Sequence, residues 1–244
     1  MPKKIKADFY IKKKPALLEM FRKKLEITQR LFLEKFDIEK LYTIYSLIEK
    51  EYEMLLNELQ YIGGNRNPFT SFLTGSGEMF AIIRILEKET IAFEEIGEFI
   101  FRYYEIINEN REDSLKNSGQ SHAEQIFAPG YIESLKSFAK QSQERNYPGD
   151  WIFDFVDGEG KPFTYGLNFT QCGIYELAKK IGMERYTRFI CLADFAEARA
   201  SEFGLNRTQT LSNGAPICDH RYIKNATTLR AWPPEKVEEF KLKL

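Results

Sequence analysis

The chain has 244 residues, 43% of them apolar, enough to bury a sizeable core in one compound domain or two small ones. A formal net charge of -1 argues against broad electrostatic binding of nucleic acid, and the crowded Lys3, Lys4, Lys6, Lys12, Lys13 and Lys14 read as a frayed, solvated tail. No apolar run approaches the ~20 residues of a membrane span and no leader-like stretch opens the chain, so a cytoplasmic protein without a membrane partner is expected.

From Pro15 onward, Leu17, Leu18, Phe21, Leu25, Leu31 and Phe36 recur at steps near three to four residues and predict a first helix. Asp37 is placed to cap a second, whose stripe of Leu41, Ile44, Ile48, Tyr52, Leu55, Leu59 and Ile62 runs to Gly63 and Gly64, and the two predict a helical hairpin. Residues 78–88 and 91–107 predict two further helices separated near Thr90, with Phe93, Phe99, Phe101, Tyr103 and Tyr104 as core aromatics. The polar run 108–122 lacks periodicity and carries Gly, Ser and Asn, which predicts a linker or flexible loop between a helical region (1–107) and an α+β region (123–244).

Beyond it a helix is expected over residues 131–145, ending before Tyr147-Pro148-Gly149. Trp151, Phe153 and Phe155, then Phe163, Tyr165, Leu167 and Phe169, alternate around an Asp157-Gly158-Glu159-Gly160 turn and predict an antiparallel hairpin with one aromatic face. Helices over about 170–181 and 184–203 and a second hairpin over 205–224 complete the series. The expected fold is therefore α+β: an amino-terminal helical bundle packed with a carboxy-terminal antiparallel sheet and helices.

The residues suited to chemistry cluster in the last third. Three cysteines, an odd number, predict free thiols. Cys172 lies near a helix start that Thr170 can cap, where free N–H groups favour a thiolate; it is either a nucleophile or a small packed residue. Cys191 and Asp194 stand three apart on an expected helix and share a face, as a thiol and proton-transfer pair or as core sulfur beside a capping carboxylate. On the last strand Cys218, His220 and Tyr222 point one way, with Asp219 and Arg221 the other; His220 is a base, a ligand or an aromatic substitute. Arg207 and Arg221 can clamp a carboxylate or form structural ion pairs, and Thr208 can orient polar groups or simply suit β geometry.

Three stretches, Phe169 to Glu176 (FTQCGIYE), Ile190 to Phe195 (ICLADF) and Leu205 to Lys224 (LNRTQTLSNGAPICDHRYIK), closely resemble the signature of the L-2-amino-thiazoline-4-carboxylic acid hydrolase family. The resemblance covers roughly residues 130–225 and aligns Cys172, Cys191, Asp194, Arg207, Thr208, Thr210, Gly214, Cys218, Asp219 and Arg221 with the family's characteristic positions. His220 stands where the family usually has Phe, and Gln171 where it has an acidic residue. The resemblance implies a hydrolase that opens a 2-amino-thiazoline-4-carboxylate or related cyclic amidine. Cys172, Cys191, Asp194 and Cys218 would be catalytic, and Arg207, Thr208, Asp219 and Arg221 substrate-binding. The expected partner is a small-molecule substrate, with no cofactor or metal, and a homodimer through apolar helix faces is one arrangement open to the chain. A non-catalytic sensor or carrier using the aromatic hairpin face, and a thiol-rich metal-binding protein, are the alternatives.

Overall fold

The computed structural model describes residues 8–241. Helix α1 (Phe9–Ile27) starts before Pro15 rather than after it, leaving the proline inside the helix. The local cost of Pro15 is offset by burial of Tyr10 on the first turn, whose hydroxyl donates to the Gln60 carbonyl at 3.1 Å. Lys12, Lys13 and Lys14 thus lie on a helix, not in a frayed tail, while Lys3, Lys4 and Lys6 lie outside the described residues. After the short α2 (Gln29–Leu33), Asp37 caps α3 (Ile38–Leu55) as expected, its Oδ1 accepting the Lys40 N–H at 2.8 Å. Helix α3 ends at Leu55, not at the glycine pair. Leu59 and Ile62 still reach the core from irregular chain, and Gly63 and Gly64 turn it with φ of +110° and +65°.

Helix α4 (Thr70–Lys88) begins eight residues before the expected start because Leu73, Ser76 and Gly77 are buried against α3, and tertiary packing overrides the weak propensity of the Ser, Thr and Gly there. The largest departure is α5 (Phe93–Asn117), which continues through most of the expected linker. Residues 108–117 carry no apolar period because their inward side chains meet polar partners. Arg111 Nη1 donates to Glu197 at 2.7 Å, Glu112 accepts the Ser201 hydroxyl at 3.0 Å, and Asn108 donates to the Tyr104 carbonyl. Helices α6 (His122–Ile126) and α7 (Pro129–Ser142) follow.

The sheet has four antiparallel strands in the order β1-β2-β4-β3: β1 (Ile152–Asp157), β2 (Tyr165–Gln171), β3 (Gly204–Asn206) and β4 (Cys218–Ile223). Phe169 pairs with Cys218, Leu167 with His220 and Tyr165 with Tyr222, which sets these six side chains on one face with Phe153 and Phe155. Between β2 and β3 run α8 (Gly173–Ile181), α9 (Glu184–Ile190) and α10 (Ala193–Ala200). Two expected boundaries change here. Thr170 remains in β2, donating to the Ile152 carbonyl at 3.3 Å, so Cys172 itself is the N-cap residue of α8. The helix expected over 184–203 breaks at Cys191 and Leu192. The fold is α+β, and no helix among the described residues is long and apolar enough to cross a membrane.

Candidate active site

The side chain of Arg207, just past β3, is 1% exposed and lies between two carboxylates from separate parts of the chain. Nε and Nη2 grip both oxygens of Glu239 at 2.5 and 2.9 Å, the second Nη2 hydrogen goes to the Cys191 carbonyl at 2.7 Å, and Nη1 meets Asp194 Oδ2 at 2.5 Å and His220 Nε2 at 3.0 Å. Four of the five N–H donors reach oxygen acceptors, and Nη1 also faces the His220 ring nitrogen. The Cys191 carbonyl, in the break between α9 and α10, also accepts the Asp194 N–H at 3.4 Å. Glu239 is 0% exposed and arrives on a carboxy-terminal 3₁₀ turn, held by Asn213, whose Nδ2 donates to its carbonyl at 3.1 Å.

Asp194, in the first turn of α10, takes the other side of this network: His220 Nε2 lies 3.1 Å from the same Oδ2 that Arg207 approaches. Burial pushes its carboxyl up, but the His220 hydrogen bond and the Arg207 charge outweigh it and hold it below the ordinary 3.8, so it is ionised near neutrality. The same side chain is 38% exposed. Asp194 is thus packed against protein on one side and open to solvent on the other. Cys172 and Cys191 are each half-buried, and Cys172 feels the charge of Cys191. Cys172 also feels Asp194, and Cys218, buried on β4, feels both Cys172 and Asp194. Tyr104 of α5 feels the charges of Glu78, Asp194 and Cys191.

The thiols do not behave as the sequence predicts. Burial, with a smaller contribution from Cys191, pushes Cys172 up to about 12, although the Tyr175 and Ile174 N–H groups at the start of α8 act in the opposite sense. Burial raises Cys218 to about 12 as well, and Cys191 goes up despite Arg207. Desolvation thus outweighs the helix terminus, and at neutral pH the three are thiols. Cys191 Sγ lies 3.3 Å from Ser212 Oγ, and Cys218 Sγ accepts the Leu211 N–H at 3.2 Å.

Three of the residues expected to bind substrate stand elsewhere. Asp219 points to the opposite sheet face, where its carboxylate accepts the Thr208 and Gln209 N–H groups at 2.8 and 2.9 Å and the Thr208 hydroxyl at 2.6 Å, fixing the turn out of β3. Arg221 shares that face, donates to the His220 carbonyl at 2.8 Å and covers the Phe163 ring.

Sequence reasoning missed a second network on the same helix. Glu197, three residues after Asp194, accepts from Arg111 at 2.7 Å and lies 3.2 Å from His122 Nε2, so both histidines of the chain sit against carboxylates of α10. Burial raises the Glu197 carboxyl, but His122 and Arg111 outweigh it and hold it below its ordinary 4.5. Its side chain is 23% exposed and is felt by Tyr131, Tyr165 and Tyr222, and Tyr222 also feels Asp194. The one signal available in the sequence is the spacing of Cys191, Asp194 and Glu197 at steps of three. Among the described residues no three His, Cys, Asp or Glu side chains are grouped so as to hold a metal ion. A separate cleft of about 160 Å³ is lined by Arg66, Phe69, Arg145, Trp151 and Phe153.

The site and fold define an α+β protein in which Asp194, Arg207, His220 and Glu239 form one charged cluster. The family model for L-2-amino-thiazoline-4-carboxylic acid hydrolase matches residues 73–222, a stretch that carries all three cysteines, Asp194 and Arg207. The chain belongs to this family. Comparison with curated proteins and with solved structures gave no match.

Proposed function

We propose that the protein hydrolyses a cyclic amidine, 2-amino-thiazoline-4-carboxylate or a close relative, beside Asp194. The observation that carries the reading is Asp194 itself: an ionised, solvent-reached carboxylate next to two half-buried thiols in a member of this family. The Asp194 carboxylate accepts a proton as water adds to the amidine carbon, the carbon–sulfur bond breaks, and the ring sulfur leaves and is protonated to a thiol, giving a carbamoyl-cysteine product. His220 and Arg207 hold Asp194 in place and favour its charged form. Protonated Cys172 and Cys191 favour this route over direct thiolate attack and offer a polarizable wall to the ring sulfur.

The test is incubation with L-2-amino-thiazoline-4-carboxylate, with ring opening followed by mass spectrometry. Asp194→Asn lowers kcat by about 100-fold or more while circular dichroism stays native, and Cys172→Ala, Cys191→Ala and Cys218→Ala each retain turnover. Loss of turnover in one cysteine variant alone moves the mechanism to a covalent thiol intermediate, with Asp194 taking the thiol proton. Undiminished turnover in Asp194→Asn rejects both routes. A sensor or carrier is the second reading, supported by the cleft at Trp151 and Phe153; binding without turnover, lost on Trp151→Ala, would favour it.

A further inference from the structure

A 4-carboxylate on the substrate calls for a cation, and the two arginines that the sequence offers are unavailable: Arg207 is buried with four N–H groups on oxygen acceptors and the fifth against His220, and Arg221 lies on the far face of the sheet. Arg111 is differently placed. It stands two turns after Tyr104 on α5, on the same face, and its side chain is 37% exposed. Nη1 is anchored on Glu197 and Nη2 makes one long contact, 3.3 Å, to Ser201 Oγ, which leaves one hydrogen on each nitrogen; Nε is buried without a hydrogen-bond partner among the described residues. His122 stands against the same carboxylate, so Glu197 holds two cation-forming side chains side by side.

We propose that Arg111, with His122 beside it, binds the substrate carboxylate, and that Glu197 is the positioning residue that holds both. Glu197 follows Asp194 by three residues, about 5 Å of helix rise. The two carboxylates therefore lie on one face of α10, with the amidine end of the substrate at Asp194 and its acid group at Arg111. Tyr131, Tyr165 and Tyr222 each feel the Glu197 charge, and the rings of Tyr165 and Tyr222 stack with centroids 4.7 Å apart. The site therefore selects small cyclic amidines that carry an acid group.

The inference rests on the hydrolase reading, and its test separates the two. L-2-Amino-thiazoline-4-carboxylate and its decarboxylated counterpart, 2-amino-thiazoline, are compared in wild type, Arg111→Gln and Arg111→Lys. In Arg111→Gln the ratio of kcat/KM for the acid over the decarboxylated compound falls by about tenfold or more, chiefly through KM, and Arg111→Lys restores part of it. An unchanged ratio overturns the proposal. If Arg111→Gln fails to fold, His122→Gln must lower the same ratio, and failure to do so counts against the proposal equally. Should wild type open neither amidine, the hydrolase reading falls and the carboxylate site is judged by calorimetry with L-thiazolidine-4-carboxylate and thiazolidine. Tighter binding of the acid, lost in Arg111→Gln, upholds it; equal binding, or none, overturns it.

Discussion

Arg207 shows what was and was not legible in single residues. The motif around it marks the arginine, yet its strongest partner, Glu239, lies 32 positions later in a 3₁₀ turn with no pattern of its own. Truncating that partner leaves a buried guanidinium with Asp194 as its one remaining carboxylate, so Glu239→Ala is expected to cost about 3 kcal/mol, read from urea denaturation. Burial also decides the thiols, which the local helix start alone misjudges. Iodoacetamide at pH 7.5 is expected to label Cys172, Cys191 and Cys218 far more slowly in the native protein than in urea, as followed by mass spectrometry. The carboxylates give a pH signature. Asp194 and Glu197 have folded values below their ordinary 3.8 and 4.5, so the stability they confer is present above those values and is lost as pH falls through the lowered ones. Tm measured from pH 6 to pH 3 should drop steeply in wild type and less so in Asp194→Asn with Glu197→Gln.

At the scale of elements, apolar period revealed helices wherever the buried partner was apolar. The stripe from Leu41 to Leu55 is read correctly, whereas residues 108–117 pass for a linker because their helix faces Glu197 and Ser201 instead of a greasy surface. Helix junctions were hidden for another reason: the carbonyl at the Cys191 break is met by Arg207 from a different element, which no local pattern announces. Close approaches between elements are testable. Gly97 of α5 lies under the Phe189 ring of α9, where an added Cβ would stand 2.9 Å from ring carbons, and Gly173 would place one 2.5 Å from the Trp151 ring and 2.7 Å from the Gly149 carbonyl oxygen. Gly97→Ala and Gly173→Ala are each expected to lose about 1–3 kcal/mol of stability in denaturant titrations, with Gly173→Ala also disturbing the start of α8 beside Cys172.

For the whole molecule, alternating and helical periods were enough to predict an α+β architecture and its strand order along the chain, because one sheet face is buried and its aromatics must alternate. The family match covers residues 73–222, but the contacts do not stop there. Lys24 reaches Glu78 at 2.6 Å from α1, Tyr52 of α3 packs on Gly77, and Glu239 completes the charge around Arg207. A fragment of residues 73–222 is therefore expected to lack a cooperative thermal transition by circular dichroism, in contrast to the full chain.

The arginine's grip on position 191 is through a main-chain oxygen, which every amino acid possesses. That hold is indifferent to the side chain, and the side-chain contact that an exchange gives up is the one to Ser212 Oγ. Position 191 is thus the natural place to reprogram the pocket: saturation there samples new reactivity and new ring sizes while the arginine keeps its main-chain partner.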